Sequence, residues 1–543
     1  MPGGPGEFRS RQQSKKRGVD PSMATRRDEL NAYSFARRRT VAAFLQPSPH
    51  GSEEAAPRPF KTVLPSLGLA TLVVIGFGAW GMLSPTAPKG WDEEGKNILV
   101  GSESTTRYVL VRTKGEEKPS LHPVLNLASA KLLLKGESPK VMKIKESVLD
   151  ESKYPMGATV GIPFAPDRLP SSKDAETVKI WALCEAPGKG QDNQPVRATY
   201  VLDQSDYDTL LHKGDKELNQ HEALYIEAPA APGGTGPRYM VTADGRAYLM
   251  GGKDWKLRSE AALKTLERAV FGDGVTPQKV SAEFIKTLNV VGAVDFPSLG
   301  SGVGAPAQVV GLDPSLSKVG LILEAPSGLG KQKYIVLKDR VQPVSDFTAQ
   351  LWLRSPWVEG VYGGRNPEPV EVTFNDIQPA DGEWLSEMNW PKEPVAQANT
   401  HWEAGGNKVS CSIWHGKKDQ YTGLPQMTVW SGREYPKDVS QSGSSTYVSP
   451  GSGLLFKRLT GTSAGGGNVY LVTDTGLRYS VPARNDSQVT GGEKADGQQQ
   501  TNTAQVRLGY DKIRPVSVPA AWADLLAAGP ELSSGNAQQA QGS

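Results

Sequence analysis

An uncharged run from Thr62 to Pro88, apolar through Leu64–Leu83, constrains this chain more than any other feature. At about 1.5 Å of rise per residue, its core spans roughly 30 Å as a helix, which matches the hydrocarbon thickness of a bilayer. Leu67, Leu69, Leu72, Val73, Val74, Ile75, Phe77, Trp80 and Leu83 leave it without the polar face that soluble helices of this length carry. Gly68, Gly76, Gly78 and Gly81 weaken a helix in water but are common within membranes. Pro65 is expected in the first turn, where a missing N–H costs little. The pattern predicts a transmembrane helix over 63–84.

Charge sets the orientation. Arg26, Arg27, Arg37, Arg38, Arg39, Arg58 and Lys61 precede the run, whereas Lys89, Asp92, Glu93 and Glu94 follow it. The positive-inside rule places the N-terminus in the cytoplasm and the large C-terminal part outside. A cleaved signal peptide is the rival reading, but its n-region would need about sixty residues and no small-x-small site follows Leu83. A single-pass signal anchor is expected in the cytoplasmic membrane, with roughly 455 residues beyond it, ample for a sizeable core.

The charges divide unequally. Up to Lys61 there are 12 basic and 6 acidic residues of the chain's 61 and 58, leaving 49 and 52 beyond, a balance of −3. The basic segment faces anionic inner-leaflet lipid. The outer part lacks the basic excess of a nucleic-acid binder, so no nucleic-acid partner is expected. Both cysteines, Cys184 and Cys411, lie on the outer side, where an even pair reads as one disulfide. Two unrelated buried thiols are the alternative.

The outer part repeats itself. Tyr108-Val-Leu-Val111 and Tyr334-Ile-Val-Leu337 each open a short strand, followed by His122-Pro123-Val124 or Gln342-Pro343-Val344. Asn126 and Asp346 then stand where they could cap a helix. A second pair is Tyr239-Met-Val-Thr-Ala-Asp-Gly245-Arg-Ala-Tyr248 and Tyr470-Leu-Val-Thr-Asp-Thr-Gly476-Leu-Arg-Tyr479, each reading as strand, Gly turn, strand. Val280-Ser281 and Val516-Ser517 precede the apolar stretches Phe284–Leu288 and Trp522–Leu526. The offsets between the paired units are 226 and 231 residues, and the cysteines are offset by 227. Three offsets this close indicate a duplication of order A, B, A′, B′ with a quasi-two-fold arrangement that lets Cys184 reach Cys411. Units this small must pack on one another or on a shared core.

The expected organisation is a disordered extension at 1–22, a cytoplasmic amphipathic helix and linker at 23–62, and the membrane helix at 63–84. Repeat 1 follows at 85–150, a first core part at 151–200, repeat 2 at 201–310 and repeat 3 at 311–360. A second core part at 361–440, repeat 4 at 441–532 and a disordered tail at 533–543 complete it. Within repeat 4, Ala483–Gln505 is polar and reads as a mobile loop. Met23 offers an internal start.

Three tempting motifs fail. Ser327-Gly-Leu-Gly330-Lys331-Gln332 echoes a phosphate-binding loop, but Ala325 replaces its first glycine, Gln332 replaces the hydroxyl that would hold Mg²⁺, and a strand follows instead of a helix. Gly461-Thr-Ser463-Ala-Gly465 satisfies G-x-S-x-G, yet a glycine run and then a strand follow it. His50, His122, His212, His221, His401 and His415 show no metal-ligand spacing. Tyr108, Tyr239, Tyr334 and Tyr470 open repeated strands, which favours structural over binding roles. No catalytic residue, metal or cofactor is assigned.

The cytoplasmic segment is sharper. Thr25-x-x-Asp28 is a capping-box pattern, and Leu30, Tyr33, Val41 and Phe44 recur at helical spacing around Arg37–Arg39. Met23-Ala-Thr-Arg-Arg-Asp-Glu-Leu-Asn-Ala-Tyr-Ser-Phe35 resembles the opening of EccB, the single-pass component of type VII (ESX) secretion systems. Asn97–Val111, Leu121–Ala130 and Gly529-Pro530-Glu-Leu-Ser533 also resemble that family, so the likeness covers Met23 to Ser533. The resemblance implies an α+β chain: one N-terminal membrane helix, then an extracytoplasmic domain of four hairpin-plus-helix repeats around a β-rich core, propeller-like and distorted. It implies a structural core-complex subunit assembling with EccC, EccD and EccE and with other EccB copies, with EccC supplying the motor. Arg26, Arg27, Leu30, Tyr33, Val41 and Phe44 would then dock on a partner subunit, membrane lipid being the alternative. The Arg37–Arg39 run is more basic than the family form. Some family members carry an ATPase designation, so an outer-side nucleotide hydrolase is the second reading and a cell-wall-binding module the third.

Overall fold

The computed structural model describes residues 25–45, 59–83 and 87–541, apart from 114–116, 136–138, 189–193, 214–215, 231–233, 329, 404, 441–444, 461–467 and 483–502. Side chains at 59–62 and 80–83 are also outside it. The 1–22 extension, His50, the Gly461–Gly465 motif and 483–502 of the expected loop therefore lie outside the described residues. The chain divides into two compact units, 1–86 and 87–543.

Among the described residues, the first unit contains two helices, Arg26–Leu45 and Pro59–Leu83. At the start of the first, the Asp28 carboxylate accepts hydrogen bonds from the Thr25 hydroxyl (2.5 Å) and the Thr25 N–H (3.1 Å), the backward-reaching half of a capping box. These bonds hold the Asp28 carboxyl below its ordinary value. The second helix begins at Pro59, before the 63 expected, so Pro65 falls inside it and not in its first turn. Pro59 suits a first helical position, whereas Pro65 removes one backbone hydrogen bond. The described side chains of this helix, 63–79, include Leu64, Leu67, Leu69, Leu72, Val74, Ile75 and Phe77, all exposed. Among the described residues no helix is long and apolar enough to cross a membrane.

Among the described residues, the second unit mixes helices with five sheets. The first and third sheets share one connectivity. In the first, Asn97–Gly101, Arg107–Val111 and Ser120–Val124 form an antiparallel meander; the chain then passes through the helix Leu127–Leu133 and returns as Lys140–Ile144, parallel to the first strand. In the third, Ile322–Ser327, Gly330–Val336 and Val341–Val344 meander, the helix Asp346–Leu353 follows, and Val370–Glu371 pairs parallel to the first strand.

The second and fourth sheets share another connectivity. Glu222–Glu227, Arg238–Thr242 and Arg246–Met250 meander, then Gln278–Lys279 joins one side and Asn289–Val294 the other, both parallel. Gly453–Leu459, Val469–Thr473 and Leu477–Val481 do the same, flanked by Val516–Pro519 and Ala527–Ala528.

In a further, central sheet Ile180–Ala186 pairs antiparallel with Val409–Lys418. Val196–Leu202 and Pro425–Gly432 flank the pair, one on each side. Ile180–Ala186 is buried throughout, because both faces carry apolar layers. Trp181 and Leu183 pack with Trp414 and Val429 against the second and fourth sheets, where Leu224, Phe456 and Trp522 meet them. Ala182 and Cys184 face the other way, with Tyr200, Cys411 and Trp430.

The outer sheets pair through their helices. Leu132 and Leu133 of the first sheet's helix pack with Leu471 and Tyr479 of the fourth sheet. Leu266 and Val270 of the helix Glu260–Phe271 pack with Phe347 and Leu351 of the third sheet's helix.

Two local expectations need correction. Asn126 caps its helix by accepting from the Ser129 N–H at 3.0 Å, but at the equivalent place Ser345 is the cap and Asp346 is the first helical residue. Asp346 instead binds the Lys333 ammonium at 2.7 Å. The second correction concerns the tail expected to be disordered. Ser533 caps a short helix, Ser534–Ala537, which buries Ala537 in the core shared by the first and fourth sheets. Gln541 N–H then donates to the Thr159 carbonyl at 2.8 Å. Small residues let this polar-looking segment lie close against the fold.

Candidate functional site

Cys184 and Cys411 stand directly opposite each other on adjacent inner strands of the five-stranded central sheet, flanked by the pairs Ser410–Glu185 and Ser412–Leu183. Their sulfurs are bonded at 2.00 Å, and both side chains are fully buried. Strand alternation puts both on the Tyr200 and Trp430 face, so the bridge joins chain segments 227 residues apart inside a packed layer.

The repeat tyrosines occupy matched registers. Tyr108 opposes Pro123 and Tyr334 opposes Pro343. Tyr239 opposes Leu249, while Tyr470 opposes Ser480 and stacks on Phe456 with ring centroids 5.6 Å apart. Gly245 and Gly476 adopt φ of +73° and +76° in hairpin turns closed by hydrogen bonds from their N–H groups to Thr242 and Thr473 carbonyls. A Cβ on Gly245 would fall 2.5 Å from Met427 Cβ, so this turn also fits closely against the central sheet.

On the N-terminal helix, Leu30, Tyr33, Val41 and Phe44 are all exposed, at 65%, 70%, 43% and 88%. At about 100° per residue they fall within one arc, in which Arg37 and Arg26 also lie. Arg27 sits beside them in the first turn. The surface is therefore a mixed apolar and cationic stripe that is exposed among the described residues.

The phosphate-loop echo resolves into a hairpin. Gly330 opposes Ser327, and Lys331 is the second residue of an outgoing strand. Its ammonium is bound to Glu371 at 2.6 Å and Glu324 at 2.9 Å, and these carboxylates raise its pKa. No helix N-terminus faces it from the loop's own C-terminal side, because the chain continues as strand Gly330–Val336.

Of the described histidines, His212 and His415 share one place, both against the Tyr207 ring, while His122, His221 and His401 lie elsewhere. The ring of buried His122 meets the Ala158 carbonyl at 2.8 Å, while His212 contacts Glu217 at 3.2 Å. His221 is exposed. Burial lowers the pKa of His401, and burial lowers that of His415 against the opposing pull of Glu217. Among the described residues no group of three or more His, Cys, Asp or Glu side chains could hold a metal ion.

Two charged groupings went unread in the sequence. Arg238 is held by Glu227, Glu260 and Glu267. Arg507 and Lys131 meet where the first and fourth sheets pack. The spacing of Glu260 and Glu267, one helical face apart by two turns, was the available signal for the first; nothing local marks the second.

A family model described as type VII secretion system ESX-1, transport TM domain B, matches residues 22–543. The chain is 27% identical over 435 residues to the "ESX-1 secretion system ATPase EccB1" of Mycobacterium tuberculosis, covering 77% of this chain and 78% of that one. It is 26% identical over 461 residues to the "ESX-3 secretion system ATPase EccB3" of Mycolicibacterium smegmatis, covering 82% and 77%. Among solved structures it resembles a chain of an intact ESX-5 inner membrane complex, with a TM-score of 0.51, 21% identity and 97% of both chains covered. It also resembles a chain of an EccB3 dimer from the ESX-3 core complex, with a TM-score of 0.52, 24% identity, and 81% and 99% covered. These likenesses bear on the fold.

Proposed function

Because this chain belongs to the EccB family of type VII secretion systems, we propose that it is a structural membrane subunit of such a system's core complex, not its motor. The family match across 22–543 carries this reading. In it, the apolar run over 63–84 crosses the cytoplasmic membrane once, with 23–62 inside and the sheet-rich unit outside. The exposed apolar side chains along 63–79 support the reading, since an uncovered cylinder of this kind needs lipid or a partner. The partners are EccC, EccD and EccE and further copies of this chain. Purification from the native membrane in mild detergent should recover those subunits; recovery of this chain alone would overturn the proposal.

The matched connectivities of the first and third sheets, and of the second and fourth, support a duplicated A, B, A′, B′ domain with a quasi-two-fold axis near the cysteine pair. The offset between Cys184 and Cys411 fits the same duplication.

The N-terminal helix is the proposed cytosolic docking element. Leu30→Asp or Tyr33→Ala should reduce recovery of partner subunits several-fold while leaving membrane insertion intact. Normal recovery with both variants would make the helix a lipid-facing anchor only.

The relatives' ATPase designation motivates the second reading, a nucleotide hydrolase. Phosphoryl transfer needs a cradle of N–H groups, a free cation and ligands for Mg²⁺. Lys331, the one lysine in a loop of that kind, is spent on Glu324 and Glu371. Residues 90–541 should show background ATP turnover, unchanged by Lys331→Ala. Mg²⁺-dependent hydrolysis lost on a single outer-domain substitution would establish the hydrolase.

A further inference from the structure

Where buried cations occur in this unit, carboxylates usually meet them. Lys179, 1% exposed, binds Asp174 at 2.6 Å, and Arg238 binds three glutamates. Arg507 and Lys131 break that pattern. Arg507 Nη1 donates to the Leu132 carbonyl and the Ser534 hydroxyl, both at 2.7 Å, and Lys131 Nζ donates to the Leu508 carbonyl at 3.0 Å. All of these acceptors are neutral. Burial lowers the pKa of both groups with no opposing carboxylate.

Arg507 opens onto a cavity of about 460 Å³ that Arg112 and Lys135 also line. One carboxylate, Glu94, shares the wall and lies 3.5 Å from Arg112. Among the described residues of the wall, three cations therefore accompany one carboxylate, and Lys131 stands two residues before Leu133, another wall residue, on the same helix. The bonds of Arg507 use Nη1 and leave its Nε and Nη2 donors for a ligand. A planar fork with free donors, two flanking cations and a net positive wall suit a tetrahedral, multiply charged anion better than a single carboxylate.

We propose that this cavity binds a phosphate group, carried either by a lipid headgroup or by a soluble molecule. Arg507 supplies the directed hydrogen bonds, and Arg112 and Lys135 supply charge from the rim. Occupation relieves the unpaired, half-buried guanidinium and ties the first sheet's helix to the Thr503–Leu508 helix. This goes beyond the secretion reading and does not depend on it.

The full chain in neutral detergent provides the test, titrated calorimetrically at constant ionic strength with inorganic phosphate and with glycerophosphoglycerol. Saturable binding of at least one probe near or below about 1 mM is expected, with a rise in unfolding temperature. Arg507→Gln should weaken it about ten-fold or more. That variant also loses the bonds to Leu132 and Ser534, so Lys135→Gln, at an exposed position, is measured beside it. It should weaken binding with an unchanged unfolding temperature in the absence of probe. Tighter binding of glycerophosphoglycerol assigns the site to lipid, and equal or tighter binding of inorganic phosphate assigns it to a soluble ligand. Failure of both probes to bind saturably, or undiminished binding by both variants, overturns the proposal.

Discussion

Denatured without reductant, this protein should present no reactive thiol, and reduction should lower the stability of its sheet-rich unit more than any surface change. The bridge joins residues separated by 227 positions, so opening it restores a long loop to the unfolded ensemble. The chain-entropy model assigns such a crosslink up to ~5 kcal/mol, and removal of a native disulfide typically costs about 2–5 kcal/mol. The sulfurs are fully buried across two adjacent inner strands, so reductant must first open the central sheet. Reduction of the folded protein should therefore be slow and should accelerate with denaturant. Cys184→Ala with Cys411→Ala should lower the denaturation midpoint to that of the reduced protein. Two labelled thiols per denatured, unreduced chain would refute the bridge.

Part of this was open to sequence reading because repetition leaves a trace in residue numbers. Two sets of hairpin signals and the cysteines share nearly the same offset, and the structure gives the matching stretches matching strand connectivities. Tyr108, Tyr239 and Tyr470 are each the second residue of a strand, and these starts and the Gly turns at Gly245 and Gly476 were readable because turn chemistry is local, whereas Tyr334 is the fifth residue of Gly330–Val336 and does not open it. The central sheet was not. Ile180–Ala186 and Val409–Lys418 are far apart in the chain, and their pairing is decided by the apolar faces that the second and fourth sheets leave to be covered. The tail misled for the opposite reason. Its Ser, Gly, Ala and Gln composition reads as disorder, yet a cap at Ser533 and the small Ala537 let it fill a tight space. Capping also slipped by one residue at Ser345, where both Ser345 and Asp346 are competent caps and the Lys333 ammonium draws the aspartate away. Arg507 had no signal at all, since its partners lie on segments 375 and 27 residues away.

The other large effect should come from Arg238. Its guanidinium donates to Glu267 at 2.5 Å, to Glu260 at 2.9 Å and to Glu227 at 3.3 Å, and its own side chain is only 10% exposed. Glu227 and Glu267 are 13% and 6% exposed, whereas Glu260 is 48% exposed. Arg238→Met would leave two buried carboxylates without a counter-charge, which typically costs about 3–5 kcal/mol. Arg238→Lys should recover little, because a single ammonium cannot fork toward three acceptors. Glu260→Gln should cost at most about 1 kcal/mol, since that contact is half in water. Combining Arg238→Met with Glu227→Gln and Glu267→Gln should restore much of the loss, because the stranded charges are then gone. The network fixes the helix Glu260–Phe271, and that helix carries the third sheet: Gln350 Nε2 donates to the Ala269 carbonyl at 2.9 Å and Arg354 Nη1 to the same carbonyl at 3.0 Å. In Arg238→Met, amide exchange should therefore quicken in Asp346–Leu353 as well as in Glu260–Phe271. Denaturant unfolding of the sheet-rich unit measures the first effect and hydrogen exchange the second. If Arg238→Met unfolds within about 1 kcal/mol of the parent, water must reach Glu227 and Glu267 freely, and the charge network does not hold the second and third sheets together.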